Sequence, residues 1–295
     1  MFRRQLWSRL QVQAVLLVLF ILALAVPGRA ADTGPWPAQN WNRENLERIK
    51  AAAVKPLTFA VFGDNRGEHP PVFESLLNEV DRDPSLSFGI HLGDMVMDAD
   101  LDKYRTFFKE VRLNLHKPLL SVIGNHELHG DQGLEFYHDI FGPDDYSFQI
   151  DRNYFIVVDD ADKEGMDPGQ LRWLEAELQQ SQAAKTRLVF LHVPLFDPRG
   201  GENHHCLRPE LASRLLVLFK KYQVTHVFAA HIHSYYLGAW DGVPYTISGG
   251  AGSKLYGDEP QHAFYHYLKV TIQGSRVQIQ VRPLKTDGRH DHDNP

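Results

Sequence analysis

Five short motifs between residues 63 and 233 carry the residue types that could do chemistry. They are Gly63-Asp64-Asn65-Arg66, Gly93-Asp94, Gly124-Asn125-His126-Glu127, His192 ahead of Val193-Pro194, and His231-Ile232-His233. Three offer carboxylate or amide oxygens and two offer imidazoles. That mixture suits one or two divalent cations of intermediate hardness, such as Mn, Fe or Zn. Each motif alone has an ordinary reading. Asp64 and Asp94 could cap a following helix, Asn125 and His126 could fill a turn, and His192, His231 and His233 could pack in a core. Their order, and their repeated place just past an apolar run, favours a shared site.

The elements that must position these residues alternate along the chain. Short apolar runs at Leu57–Phe62, Phe88–Leu92, Leu119–Ile123, Arg187–Leu191 and Val224–Ala229 end in Gly, polar or His residues, as buried strands do. Helical periodicity marks Val72–Val80, Leu101–Leu113, Gln170–Gln180 and Leu207–Lys220. Tyr146–Ile150 and Tyr154–Val158 read as a hairpin, and Val243–Ser248, Tyr265–Ile272 and Val277–Val281 as later strands. An α/β domain with two sheets covered by helices accommodates this pattern. In such sheets ligands bind beyond the carboxyl ends of the strands, where Asp64, Asp94, Asn125, His192, His231 and His233 all fall. His91, inside a strand pattern, reads as core. His69, His129 and the Asn203-His204-His205-Cys206 run read as loop residues near the motifs.

The ends of the chain have a different character. Arg3, Arg4 and Arg9 precede 13 apolar residues, Ala14 to Val26, and Gly28-Arg29-Ala30 supplies small residues for cleavage. This is the layout of a secretory signal peptide over residues 1–30, and the apolar run is short for a membrane span. Arg3-Arg4 followed by Gln5-Leu6 fits the twin-arginine route. The expected product is exported, periplasmic or secreted. Residues 31–56 read as an N-terminal arm leading into a helix from about Arg43 to Ala52, residues 57–285 as the main domain, and 286–295 as a flexible tail. Without residues 1–30 the chain keeps 27 basic against 37 acidic residues, a net charge near −10 with His neutral. That balance argues against gripping nucleic acid through its backbone charge. The single Cys206 permits no internal disulfide.

The series of motifs resembles the calcineurin-like metallophosphoesterases, whose pattern is D-x-H, G-D, G-N-H-D/E, a lone H, and G-H-x-H. The likeness runs from Leu57 to about Val281 and includes the Gly-rich run Ser248-Gly249-Gly250-Ala251-Gly252. The resemblance implies a two-sheet β-sandwich flanked by helices on both faces, and a metal-dependent phosphoric ester hydrolase. It implies that a metal-bound hydroxide attacks phosphorus in line, in a monoester or diester substrate. Asp94 would bridge two metals, Asn125, His192 and His231 would complete one sphere, and Asp64 and His233 would serve the other. His126 would protonate the leaving oxygen or stabilise the transition state.

This chain departs from the pattern at three places. Arg66 stands where the family carries its first His, and Arg cannot ligate a metal. Asp64, Asp94 and His233 with water would still suffice for a catalytic metal. Arg66 would then either grip substrate phosphate or leave the first site partly empty. Ala230 replaces the Gly of the last motif, and Met97 stands where one branch places an Asp to orient the catalytic His. These departures keep open an alternative, a non-catalytic metal- or phosphate-binding protein on the same scaffold. The expected partner is a small-molecule or envelope phosphate ester, with no stable membrane span once the leader is removed.

Overall fold

In the computed structural model, which describes residues 37–52, 55–200 and 205–285, the first strand is β1, Leu57–Phe62, buried along its whole length. The expected signal peptide (1–30) and flexible tail (286–295) lie outside the described residues, as do residues 201–204. β1 pairs in parallel with β2 (Gly89–His91), which pairs in parallel with β3 (Leu119–Ser121). On its other edge β1 runs antiparallel to β10 (His266–Gln273), itself antiparallel to β11 (Arg276–Pro283), giving a five-stranded sheet ordered β11-β10-β1-β2-β3.

A second sheet of six strands is built from β4 (Tyr146–Ile150), β5 (Asn153–Val157), β6 (Thr186–Phe190), β7 (His226–Ala229), β8 (Tyr235–Trp240) and β9 (Val243–Ser248), in the order β4-β5-β6-β7-β9-β8. Strands β5, β6, β7 and β9 are mutually parallel, and β4 and β8 close the sheet as antiparallel edges.

The period-two alternation of a strand divides these residues among three cores. Phe59 and Val61 of β1 join Phe155, Val157, Leu188, Phe190 and Phe228 of the second sheet in a core between the sheets. Ala60 and Phe62 face the opposite way, against Phe73, Leu76 and Leu77 of α2 (Pro70–Arg82), Phe107 and Phe108 of α3 (Leu101–Asn114), and Tyr137 and Phe141 of α4 (Gly133–Phe141). Ile156, Val189 and Val227 of the second sheet pack instead on Leu171 and Leu174 of α5 (Pro168–Gln180) and Leu215 and Phe219 of α6 (Pro209–Lys221). The layers are therefore helix, sheet, sheet, helix. This is the two-sheet sandwich flanked by helices that the sequence predicts. Asp100 and Asp167 start α3 and α5 by accepting from the first free backbone N–H groups.

One α-helix and one strand were not expected from the sequence. α4 follows the His129–Gly133 loop, and β8 precedes β9. The first helix, α1, spans Trp41–Ala52, beginning two residues before the expected start. Trp41 packs edge-on against Phe108 at 4.9 Å, so burial draws the helix start back. α1 also reaches the outer edge of β3. Asn42 accepts from Ser121 N at 2.9 Å through Oδ1 and donates to Ser121 O at 3.4 Å through Nδ2.

Two predictions follow from this packing. Phe59 stacks on Phe88 at 5.0 Å and meets Phe155 edge-on at 5.6 Å between the sheets. Phe59→Ala should lower unfolding free energy by about 3–5 kcal/mol in a denaturant titration. Elsewhere, Asp145 Oδ1 accepts from Asp159 N at 2.8 Å, and burial pushes Asp145 up to about 6 and Asp159 up to about 7. Both folded-state values lie above the unfolded carboxylate value of about 4. The associated stability is whole below that value and is lost as pH rises through 6 to 7. The denaturation midpoint should therefore fall between pH 5 and pH 8, and fall less in Asp159→Asn. Equal falls in the two proteins would show that Asp159 is not the group responsible.

Candidate metal centre

Every predicted ligand lies just past the carboxyl end of a parallel strand. Asp64 follows β1, Asp94 follows β2, Asn125 follows β3, His192 follows β6, and His231 and His233 follow β7. Asp64, Asp94 and His231 all have left-handed backbone, with φ of 63°, 57° and 63°. Non-glycine residues rarely hold that conformation. Here the chain must turn sharply at the strand end while its side chain stays over the sheet edge.

The donor atoms converge in two groups that share Asp94. Asp94, His192 and His231 form one, and Asp64, Asp94 and His233 the other, with the donor atoms of each group within 4.8 Å of one another. Asn125 joins the first group, its Oδ1 lying 3.1 Å from His192 Nε2. His192 Nε2 is also 3.3 Å from Asp94 Oδ1 and 3.2 Å from His231 Nδ1.

Hydrogen bonding fixes which atoms are free to ligate. His192 Nδ1 donates to Leu92 O at 2.8 Å, so in the neutral ring Nε2 carries a lone pair. His233 Nδ1 donates to Lys254 O at 2.7 Å, leaving Nε2 toward Asp64 Oδ1 at 3.7 Å. These rings are held neutral. Burial pushes His231 down to about 3 and His233 to about 4, and lowers His192. Lone pairs thus face lone pairs across short distances.

Asp64 has the same need. Its Oδ2 accepts from His231 N at 2.8 Å, while Oδ1 is buried with no hydrogen-bond partner. Burial, then the neighbouring Asp94, push its carboxyl well above the usual range. A divalent cation answers all of these features at once, since it supplies the charge and the partner that the buried oxygens and nitrogens lack. The residues present fit such an ion.

The supporting groups were mostly not visible in the sequence. Glu127, fully buried, accepts from Gly124 N and Asp94 N through Oε2, both at 2.8 Å. Its Oε1 accepts from Met95 N at 2.8 Å and Val96 N at 3.2 Å. One carboxylate thereby ties the Asp94 loop to the Asn125 loop. Burial and then Asp94 push it up to about 8. Asp160 Oδ1 accepts from His192 N at 2.9 Å and Val193 N at 3.1 Å, fixing the second sheet's contribution. His91, expected in the core, is there, with Nε2 2.8 Å from Asn65 Oδ1 behind the Asp64 turn. Gly124 is required by close approach, because a Cβ there would lie 2.4 Å from Asp94 Oδ1.

His126 and Arg66 lie beside the cluster, with His126 Nε2 3.8 Å from Asp94 Oδ2 and 2.8 Å from Arg66 Nη1. Where one family branch would orient this ring with an Asp, the Met97 carbonyl does so, 2.5 Å from Nδ1. His129 packs against His126 with ring centroids 4.5 Å apart, and His205 lies 5.5 Å from the His231 ring. His69 is turned to Tyr265 instead, at 6.0 Å. His204, His290 and His292 lie outside the described residues. Glu127→Gln keeps the side-chain shape but puts an NH2 where backbone N–H groups need an acceptor. It should lower divalent-metal affinity by about 10–100-fold, read by competition with a chelating indicator. An unchanged affinity would mean the two loops hold without this carboxylate.

Residues 57–235 match the family model described as calcineurin-like phosphoesterase. The chain is 26% identical over 229 residues to the Fe(3+)-Zn(2+) purple acid phosphatase 12 of Arabidopsis thaliana, which covers 69% of this chain and 47% of that protein. It therefore spans about half the length of that relative. Among solved structures, purple acid phosphatase PPD1 from yellow lupin (Lupinus luteus) seeds superposes with a TM-score of 0.62 at 16% identity, over 77% of this chain and 51% of that one. GAP50, the anchor in the inner membrane complex of Plasmodium, superposes with a TM-score of 0.52 at 13% identity, over 79% and 90%. At these identities the two structures show a shared fold.

Proposed function

The chain belongs to the calcineurin-like phosphoesterase family, and from that premise we propose that it is a metal-dependent phosphoric ester hydrolase. The observation that carries this reading is the convergence of two donor groups on the shared, buried Asp94. In this reading Asn125, His192 and His231 hold one ion with Asp94, and Asp64 and His233 hold the other with it. When bound, the ions would supply Lewis-acid stabilisation of a phosphoryl oxygen and lower the pKa of a water toward neutrality.

The chain's own residues do the rest. Asp94 keeps the two groups in one register because His126 N donates to its Oδ1 at 3.1 Å. Glu127 and Asp160 hold the supporting loops, so little reorganisation remains when substrate charge develops. Cys206, half-buried and free, lies outside the two donor groups, and no covalent phosphoenzyme is expected. The layout of residues 1–30 supports export, which would make soluble or envelope phosphate esters the substrates. No helix among the described residues is long and apolar enough to cross a membrane.

The test uses purified protein freed of residues 1–30. Elemental analysis would be paired with hydrolysis of p-nitrophenyl phosphate and bis-p-nitrophenyl phosphate, before and after chelation. Bound divalent metal is expected, with activity lost to chelator, restored by Mn, Fe or Zn, and undetectable in Asp94→Asn. The compound turned over faster separates a monoesterase from a diesterase. Metal bound in full with neither compound hydrolysed would favour a metal- or phosphate-binding protein on this scaffold.

A further inference from the structure

Arg66 occupies the position at which the family pattern has its first histidine. Its backbone is left-handed, with φ of 43°, and its side chain is only 12% exposed. Three groups fix the guanidinium. Nε donates to Ser253 Oγ at 3.0 Å, Nη2 meets Glu68 Oε1 at 2.7 Å, and Nη1 donates to His126 Nε2 at 2.8 Å. Glu68 is held in turn, its Oε2 accepting from Lys254 N at 2.6 Å. A guanidinium has five N–H donors. Among the described residues one therefore remains on each terminal nitrogen of Arg66. Such a fork matches the oxygens of a phosphate.

The other partner, His126, is engaged at both nitrogens. The Met97 carbonyl can only accept, so Nδ1 carries the proton in that contact. Arg66 can only donate, so Nε2 presents a lone pair. This assignment of the tautomer follows from the partners. The ring has no N–H turned toward Asp94 or toward a group bound over the cluster.

We propose that Arg66 is the phosphoryl-binding residue of this site, and that His126 is a positioning residue acting through it. His126 supplies the acceptor that aims the guanidinium, in place of the proton-donor role implied by the family resemblance. The proposal rests on the hydrolase reading for its kinetic consequences, but its binding consequences stand apart from turnover.

The experiment measures inorganic phosphate binding to the metal-loaded protein by calorimetry, with metal content and p-nitrophenyl phosphate kinetics in parallel. Arg66→Lys should weaken phosphate by about 10-fold and Arg66→Ala by about 100-fold, the range expected for losing hydrogen bonds to a charged group. Metal content should not fall, and KM should rise with the phosphate dissociation constant. The decisive pair is His126→Gln and His126→Ala. Gln places an acceptor oxygen near the Nε2 position, so phosphate affinity, KM and kcat should stay close to wild type. Ala removes the acceptor and should weaken phosphate much as Arg66→Lys does. If His126 were the proton donor, Gln and Ala would lose kcat equally while binding phosphate normally, and that result overturns the proposal. Normal phosphate affinity in Arg66→Ala overturns it as well. A wild type that binds metal and phosphate without turnover would fail the hydrolase reading alone, leaving the Arg66 result to be judged by binding.

Discussion

Asp64 and Asp94 are carboxylates buried near one another, and much of the surrounding structure follows from keeping them there. Two like charges in a dry site repel, and each also loses its hydration. The protein offsets part of that cost with backbone N–H groups. His231 N serves Asp64 and His126 N serves Asp94. The remainder is left to a cation, as the partnerless Oδ1 of Asp64 indicates. The left-handed turns at Asp64, Asp94 and His231 make sense in the same terms. Each costs conformational free energy, and each is held by a hydrogen bond that another strand end supplies.

The architecture makes this convergence possible. β1, β2 and β3 run parallel in one sheet, and β6, β7 and β9 in the other. Their carboxyl ends bring loops from both sheets to one edge of the sandwich. The aromatic packing between the sheets, from Phe59 and Phe88 to Phe155, Phe190 and Phe228, spaces the two sets of ends. His192 and Asp94 meet across that boundary, although 98 positions separate them in sequence. Stability of the inter-sheet core and geometry of the metal centre are thus one problem for this chain.

The elements most readable from sequence were those whose burial is uniform. β1 and the apolar runs before Asp94, Asn125 and His192 announce themselves because strands covered on both faces need apolar side chains throughout. β8 is harder to read because Gly238 interrupts its apolar and aromatic residues, and as an edge strand it leaves five of its six positions at least partly exposed. α4 was missed because it starts at a glycine and has no side-chain cap. In the site, residue types and strand-end positions were enough to name Asp64, Asp94, Asn125, His192, His231 and His233 as candidates. The supports were not readable. Glu127 acts on backbone groups 31–33 positions upstream and Asp160 on groups 32–33 positions downstream. Such pairings leave no periodicity or local motif. Only the Glu of Gly124-Asn125-His126-Glu127 stood in view, and its type alone does not tell a clamp from a surface charge.

The contact between α1 and β3 gives the segment ahead of the main domain a structural duty. β3 is the last strand of its sheet, and a bare strand edge invites another chain to add to it. The Asn42 carboxamide accepts from Ser121 N and donates to Ser121 O, the same pair of bonds a neighbouring strand would make. Asn45 adds a longer contact to Leu119 N at 3.4 Å. The side chains of one helix therefore imitate a sixth strand and close the sheet against growth. What reads in sequence as a lead-in is in three dimensions the cover over the edge of β3, joined by side-chain hydrogen bonds to the sheet that begins at Leu57.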